Sequence, residues 1–195
     1  MVFGHLPFGY ITSELLFNRF KKRHISINTF RFWTMSGAIA PDIDMLFYYV
    51  HDDIKFQSPH MHHSYFTHFP FFWVTLLGIS IVWLLLDNNR GKLSPLVFMF
   101  TLGGFTHLIL DTMTGYVYWL APFHNKLFSF ETNNPWETNY FTHWGFGVEV
   151  CLILSAVYLW YKRLNKASLV NPLLTRCQAG NLQSKTTAAL PDNPS

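Results

Sequence analysis

The stretch LVFMFTLGGFTHLILD, residues 96–111, decides the fold class because a long apolar run ends in a histidine and an aspartate. Leu96 to Leu110 includes His107 but no Asp, Glu, Lys or Arg. A helix that crosses a bilayer needs about 20 residues, so this segment reaches that length only with its flanks. An imidazole and a carboxylate beside hydrocarbon are costly without a partner, and a bound metal ion satisfies both. The stretch therefore predicts a membrane helix that carries metal ligands.

The composition of the whole chain agrees with a membrane protein. Half of the 195 residues are apolar, 18% are aromatic and only 13% are charged, whereas about 25% of the residues in soluble domains are charged. Phe69 to Leu86 and Gly145 to Tyr161 are also long enough to span, and two weaker candidates cover about 6–20 and 29–50. We predict an all-α, multi-pass membrane helical bundle with about four to five membrane helices.

The C-terminal end of the chain differs from this apolar part. Residues 165–195 are polar and lack sustained periodicity, so we expect a disordered tail after a membrane domain at 1–164. The N-terminus has no basic region ahead of an apolar core and does not read as a cleaved signal peptide. The two cysteines, Cys151 and Cys177, argue against a disulfide framework and a thiolate cluster. Any bound metal would therefore have nitrogen and oxygen ligands.

Basic residues orient the predicted helices. Ten of the 14 lysines and arginines lie in three groups, and the positive-inside rule places all three groups on the cytoplasmic side if five spans start from an outside N-terminus. The net charge is only +3 and no nucleic-acid motif accompanies the run RFKKR at 19–23, so we expect no nucleic-acid partner. The groups are Arg19, Lys21, Lys22, Arg23 and Arg31; Arg90 and Lys92; and Lys162, Arg163 and Lys166.

Four polar motifs lie on one face in this topology. They are GH at 4–5, PDID at 41–44, HSYFTH at 63–68 and HLILD at 107–111, and all four fall on the outer side. The orientation used only lysine and arginine, so the convergence of the histidines and aspartates is an independent indication of a shared site.

Two of these motifs have a clear local geometry. His107 and Asp111 are four residues apart, which places both on one helix face within reach of one ion; the alternative is a structural histidine–carboxylate pair. Pro41 disfavours helix at the residue before it, so Asp42 and Asp44 are expected at a helix break. One aspartate would then bind the metal, while the other would bridge a second ion or orient a histidine. The alternative is ordinary acidic capping.

The histidine-rich motif is harder to divide into roles. His60, His62, His63 and His68 cannot all bind one ion, and we expect His60 and His62 to be solvated. Thr67, beside His68, can donate a hydrogen bond to a carboxylate or to a bound oxyanion.

Over about residues 4–123, the chain resembles the YdjM-like family of inner-membrane metal-dependent hydrolases. The resemblance is carried, in order, by GH, APDID, HSYFTH and GGFTHLILDTMT, followed by WLAPF at 119–123. The resemblance implies supporting roles for Thr67 and Thr114. The family usually has Arg and Gly at the positions of Ser64 and Tyr65, and often Pro at the position of Gly115; loss of that arginine would remove a phosphate-binding or charge-balancing group. The metal-site residues that the resemblance implies are His5, Asp42, Asp44, His63, His68, His107 and Asp111.

Together with these observations, the resemblance implies a membrane-bound metal-dependent hydrolase of the bacterial inner membrane. The ligand types suit one or two divalent ions, with zinc first and manganese or iron as alternatives. Metal-activated water would attack a phosphoester or related bond, with Asp42, Asp44 and Asp111 as catalytic residues. An interfacial site favours membrane lipids as partners and a lipid or lipid-linked substrate, although the nearby aromatics are equally expected as an interfacial belt. The alternative is a metal-binding transporter-like or structural membrane protein, and the oligomeric state stays open.

The connection at about 112–143 is long enough to cover such a site. It includes His124, and His143 lies just before the last predicted span, which carries Glu149. We expect His143 and Glu149, at most, to support the ligands from behind.

Overall fold

Six α-helices form the fold in the part of the chain that the structure describes. The computed structural model describes residues 3–47, 65–88, 91–124, 126–130 and 144–187, with side chains as far as Asn165 in the last helix. The helices are α1 (His5–Phe20), α2 (Ile27–Ile39), α3 (Asp44–Phe47), α4 (Pro70–Leu86), α5 (Leu93–Thr114) and α6 (Trp144–Thr187). Short 3₁₀ turns at Pro41–Ile43 and Phe66–His68 precede α3 and α4. The all-α prediction is confirmed for these residues.

The second predicted helix, at about 29–50, is interrupted. Helix α2 begins after Ser26, whose side chain accepts a hydrogen bond from Thr29 N at 3.0 Å, and it ends at Ile39. Proline lacks an N–H and clashes with the preceding turn, so Pro41 begins a 3₁₀ turn that leads into α3. The break predicted from Pro41 is therefore present, and it places Asp42 and Asp44 in different short elements.

Close packing of α2 against α5 depends on two glycines. A methyl group added to Gly37 would lie 2.0 Å from the carbonyl oxygen of Phe100, and one added to Gly103 would lie 2.5 Å from the carbonyl oxygen of Thr34. Small residues at such points let helix backbones approach closely. The contact fixes the register of α5 against α2 and so determines which α2 carbonyl faces His107, one helical turn after Gly103.

A polar cluster joins the C-terminal ends of α1 and α4 to the N-terminal end of α5. Nη1 of Arg23, which is buried and follows α1, donates to the carbonyl oxygen of Gly91 at 3.0 Å and to Ser94 Oγ at 2.8 Å. The same guanidinium is paired with Asp87 at the end of α4. A hydrogen bond from Ser94, the backbone N–H of Gly91 and the charge of Arg23 hold the pKa of Asp87 below its usual value. This cluster ties together the helix ends opposite His5, His68 and Asp111.

Two helices in the described part of the chain are long and apolar enough to cross a membrane. They are Leu93–Thr114 and the first part of α6, Trp144–Asn165, while Pro70–Leu86 is apolar but shorter. The predicted number of about four to five membrane helices therefore exceeds the number that qualifies by length and composition among the described residues. The reason is that α1, α2 and α4, which form at the other three predicted spans, have 16, 13 and 17 residues, fewer than the ~20 residues that a bilayer requires.

The last helix continues beyond the predicted membrane domain. The sequence predicted disorder from residue 165, whereas α6 is helical as far as Thr187. This segment contains leucine, alanine, arginine and glutamine, which have good helix propensity even without an amphipathic pattern. The chain forms two compact units, 1–156 and 157–195, and every site residue discussed below belongs to the first. The predicted division at 164/165 stays a prediction.

Candidate metal centre

Four side chains from three separate segments converge on one point. Asp42 comes from the 3₁₀ turn after α2, His68 from the turn before α4, and His107 and Asp111 from consecutive turns of α5. One nitrogen or oxygen atom from each lies within 4.8 Å of the corresponding atom of every other member. Three of the four side chains are almost fully buried. We call these four residues the donor cluster.

The distances within the donor cluster match those between ligands of a single ion. His107 Nε2 lies 3.0 Å from Asp111 Oδ2 and 3.4 Å from Asp42 Oδ1. His68 Nε2 lies 3.6 Å from Asp42 Oδ1 and 3.7 Å from Asp111 Oδ2. Ligands bound at about 2.0–2.1 Å around a tetrahedral zinc ion are roughly 3.3 Å apart. The side chains therefore fit a divalent ion with two nitrogen and two oxygen ligands.

The other ring nitrogen of His107 is already engaged by the fold. His107 Nδ1 lies 2.7 Å from the carbonyl oxygen of Ala38. A carbonyl oxygen only accepts, so Nδ1 carries the hydrogen, and in the neutral ring Nε2 keeps its lone pair for the donor cluster. The close approach at Gly37, the neighbour of Ala38, thus orients His107 through a backbone atom.

His68 is oriented in the same way by a carboxylate. Its Nδ1 lies 2.6 Å from Asp44 Oδ2, and Thr67 also donates a hydrogen bond to that oxygen. Asp44 is only 2% exposed. A carboxylate behind a metal-binding histidine fixes the ring tautomer and raises its basicity. Of the two roles that the sequence left open for the aspartates, Asp44 takes that of orienting a histidine, and Asp42 points into the donor cluster.

Trp73 connects the turn that carries His68 to α5. Its Nε1 donates to the carbonyl oxygen of Thr67 at 2.7 Å, and its ring packs so closely on Gly104 that an added methyl group would lie 2.1 Å from a ring carbon. Trp73 is 2% exposed, so it is not part of an outward aromatic belt. Neighbouring Phe66 and Phe71 do point outward.

His5 lies against one side of the donor cluster. Its ring stacks on that of His107 with a centroid distance of 3.7 Å and an interplanar angle of 16°. His5 Nε2 is 3.1 Å from Asp111 Oδ1, the oxygen that does not face His68 and His107. Asp111 therefore directs one oxygen toward His68 and His107 and the other toward His5, as a carboxylate does when a neighbouring group orients it.

Asp42 marks the open side of the donor cluster. Its side chain is 29% exposed, while those of His68 and His107 are fully buried. Burial raises the pKa of Asp42, but the neighbouring rings of His107 and His68 outweigh burial and hold it well below its usual value. Burial lowers the pKa of His68, but the nearby carboxylates of Asp111, Asp42 and Asp44 outweigh burial and raise it to about 11. In the absence of an ion, a proton on His68 therefore compensates the carboxylates.

The remaining predicted site residues have different outcomes. His63, like His60, His62, His143 and Ser64, lies outside the described residues. Thr114 is buried, and His124 is exposed on the connection after α5. The sequence did not reveal the Ala38 carbonyl or the anchoring role of Trp73. Two glycines were the available signals in the sequence. Gly37, next to Ala38, allows a close backbone contact with Phe100, and Gly104 makes room for the Trp73 ring. Direct metal ligation by the predicted residues stays a prediction.

The connection after α5 folds back over the end of that helix. Val117 and Phe128 form an isolated antiparallel bridge with both N–H to O distances at 2.9 Å. Trp119 Nε1 donates to Thr112 Oγ1 at 2.8 Å, one residue after Asp111. A cavity of about 360 Å³ lies among Trp119, Leu120, Lys126 and Phe128.

Comparison with known proteins identifies one family. The family model described as YdjM inner membrane protein matches residues 1–176, which confirms the resemblance given by the sequence motifs. No curated protein matches this chain significantly. No solved structure matches it significantly either.

Proposed function

The chain belongs to the YdjM inner membrane protein family, and on this premise we propose that it is a multi-pass inner-membrane hydrolase that depends on a divalent metal. The observation that carries the proposal is the geometry of the donor cluster. Each histidine Nε2 lies 3.0 to 3.7 Å from one oxygen of each aspartate. Zinc is the first choice for such a set, with manganese or iron as alternatives.

Each residue has a separate part in the proposed reaction. A divalent ion bound by the donor cluster would lower the pKa of a coordinated water to about 7 and polarise a phosphoryl oxygen. Asp111, held by His5, and His107, held by the Ala38 carbonyl, are buried and suited to fixing geometry. Asp42 is the accessible carboxylate, so we assign it the removal of a proton from the attacking water and the delivery of that proton to the leaving oxygen. Asp44 acts through His68 and does not contact the substrate.

We derive the proposed membrane orientation from the positions of the site and the basic residues at opposite ends of α1. The site lies at the His5 end of α1, whereas Arg19, Lys21, Lys22 and Arg23 lie at the other end. The positive-inside rule then puts the basic end in the cytoplasm and the site at the non-cytoplasmic face. We include α1 and α2 among the membrane helices because Leu15 and Phe32 point outward with exposures of 69% and 67%, as lipid-facing side chains do.

A lipid or lipid-linked phosphoester is the proposed substrate. The cavity formed by Trp119, Leu120 and Phe128 is apolar and has Lys126 as its charged member, which suits an acyl or isoprenoid chain attached to an anionic headgroup. Phe130, whose ring contacts that of Phe128, is also exposed. The hydrogen bond from Trp119 to Thr112 ties one wall of this cavity to α5 at the residue that follows Asp111.

The test is hydrolysis by detergent-purified, zinc-loaded protein. The panel contains anionic phospholipids, lipid-linked phosphates and soluble phosphoesters, and released phosphate or alcohol is measured. We expect cleavage of a lipid substrate that is lost in Asp42→Asn and retained in His124→Ala, a control at an exposed histidine.

Two other results would contradict the proposal. Cleavage of soluble esters alone would refute the lipid substrate. Metal binding without hydrolysis of any panel member would instead favour a structural or transporter-like role for the ion.

A further inference from the structure

Glu149 is a buried carboxylate that contacts the backbone at the start of the chain. It lies on α6 and is 1% exposed. Its Oε1 accepts a hydrogen bond from Phe3 N at 3.0 Å and another from Gly4 N at 3.3 Å. Both donors belong to the two residues that immediately precede His5.

Burial of the Glu149 carboxylate costs free energy that its hydrogen bonds must offset. A carboxylate within an apolar helix is costly unless its oxygens receive hydrogen bonds. Along the same helix, Val150, Ile153 and Leu154 are exposed apolar residues. Hydrogen bonds from backbone N–H groups to a charged acceptor are among the stronger ones. This carboxylate therefore joins an otherwise outward-facing stretch of helix to a defined stretch of backbone.

That stretch of backbone leads directly into the site. Gly4 is the residue before α1, and α1 begins at His5 with no side-chain cap of its own. His5 then stacks on His107 and lies 3.1 Å from Asp111 Oδ1. The position of His5 against Asp111 thus depends on a helix start whose preceding N–H groups are held by Glu149.

We infer that Glu149 is a positioning residue, which holds the Phe3–Gly4 backbone so that His5 orients Asp111 in the donor cluster. The inference rests on the proposed metal-dependent function, because a misplaced His5 would affect metal binding by disturbing the Asp111 carboxylate. It assigns to α6 a role in the site, although α6 supplies no member of the donor cluster. The sequence predicted at most that Glu149 supports the ligands from behind, and in the structure its carboxylate contacts backbone N–H groups beside His5.

The first readout reports on residue 5 without any metal. In a Cys151→Ser, Cys177→Ser background, His5→Cys places a thiol at a position that is 3% exposed in the native chain. We expect slow labelling by a maleimide, and labelling at least about tenfold faster when Glu149→Ala is added, since hydrogen bonds to a charged group are lost. Glu149→Gln keeps an acceptor oxygen and should restore protection. Equal labelling in all three backgrounds would overturn the inference.

The second readout is metal affinity, measured with Zn²⁺ and a chromophoric chelator. We expect Glu149→Ala and His5→Ala each to weaken binding by about 10-fold or more, as loss of a supporting contact does, and the double variant to be no weaker than His5→Ala alone. Cys151→Ala, at an exposed position on the same helix, is the control. A lowered thermal midpoint with unchanged affinity and labelling would show a merely structural role. If the wild type binds no metal, the proposed function fails, while the labelling result still decides whether Glu149 positions residue 5.

Discussion

Replacing Asp44 by alanine tests whether the donor cluster depends on the carboxylate behind His68. Asp44 is 2% exposed and accepts a hydrogen bond from His68 Nδ1 at 2.6 Å and another from Thr67. Asp44→Ala removes both contacts but none of the four donor atoms. We therefore expect the variant to bind one ion with reduced affinity.

The expected size follows from the loss of one supporting group. Removal of a carboxylate behind a ligand histidine typically weakens metal binding by about 10–100-fold, which corresponds to roughly 1.4–2.8 kcal/mol. Thr67→Val removes one of the two hydrogen bonds to Asp44 and leaves that of His68, so its effect should be smaller. Asp44→Asn keeps one acceptor oxygen and should fall between the two.

The assay is competition with a chromophoric chelator, using detergent-purified protein and Zn²⁺, with circular dichroism to check folding. Loss of all metal in Asp44→Ala, at the level of His107→Ala, would show that Asp44 is itself a ligand. Unchanged affinity in a folded variant would show that the orientation of His68 does not depend on Asp44.

Three further predictions concern packing, protons and the tryptophan anchor. Gly37→Ala forces a methyl group to 2.0 Å from a carbonyl oxygen, so it should destabilise the fold by about 1–3 kcal/mol. The control Gly78→Ala, whose added methyl group would have nothing within 4 Å, should not destabilise it. Thermal unfolding in detergent compares the two variants, and equal midpoints would refute the close contact at Gly37. The pKa of His68 is raised to about 11, so at neutral pH Zn²⁺ must displace a proton from this ring. The affinity for Zn²⁺ should therefore rise by about tenfold per pH unit for that one proton. Calorimetry in two buffers of different ionisation heat measures the proton release, and no release would contradict the assignment of His68 as a metal ligand. Trp73→Phe removes the donor to the Thr67 carbonyl and should weaken Zn²⁺ binding less than Asp44→Ala does; an equal or larger loss, measured by the same competition assay, would show that the tryptophan does more than anchor the turn.

The parts of the site that the sequence could predict depend on local geometry. His107 and Asp111 share a helix face because they are four residues apart, and Pro41 breaks the second helix because proline lacks an N–H. The basic residues predicted one shared face for the motifs, and the structure brings Asp42, His68, His107 and Asp111 together.

The parts that the sequence could not predict depend on contacts between distant segments. The choice of Asp42 for the centre and Asp44 for the position behind His68 depends on how the turn before α4 packs against α3. The Ala38 carbonyl faces His107 only because two glycines set the register of α2 and α5. Likewise, Glu149 contacts backbone N–H groups more than a hundred residues away in the chain, and a backbone partner leaves no side-chain signature in the sequence.

The most direct test of the central claim is the metal content of detergent-purified protein, determined by elemental analysis after gentle purification and mild dialysis. The wild type and the control His124→Ala should retain about one divalent ion per chain, as expected for a single four-ligand site. His107→Ala and Asp111→Ala should lose it while remaining helical by circular dichroism. Equal metal content in all four proteins, or no metal in a folded, zinc-supplied wild type, would contradict the assignment of the donor cluster as a metal centre.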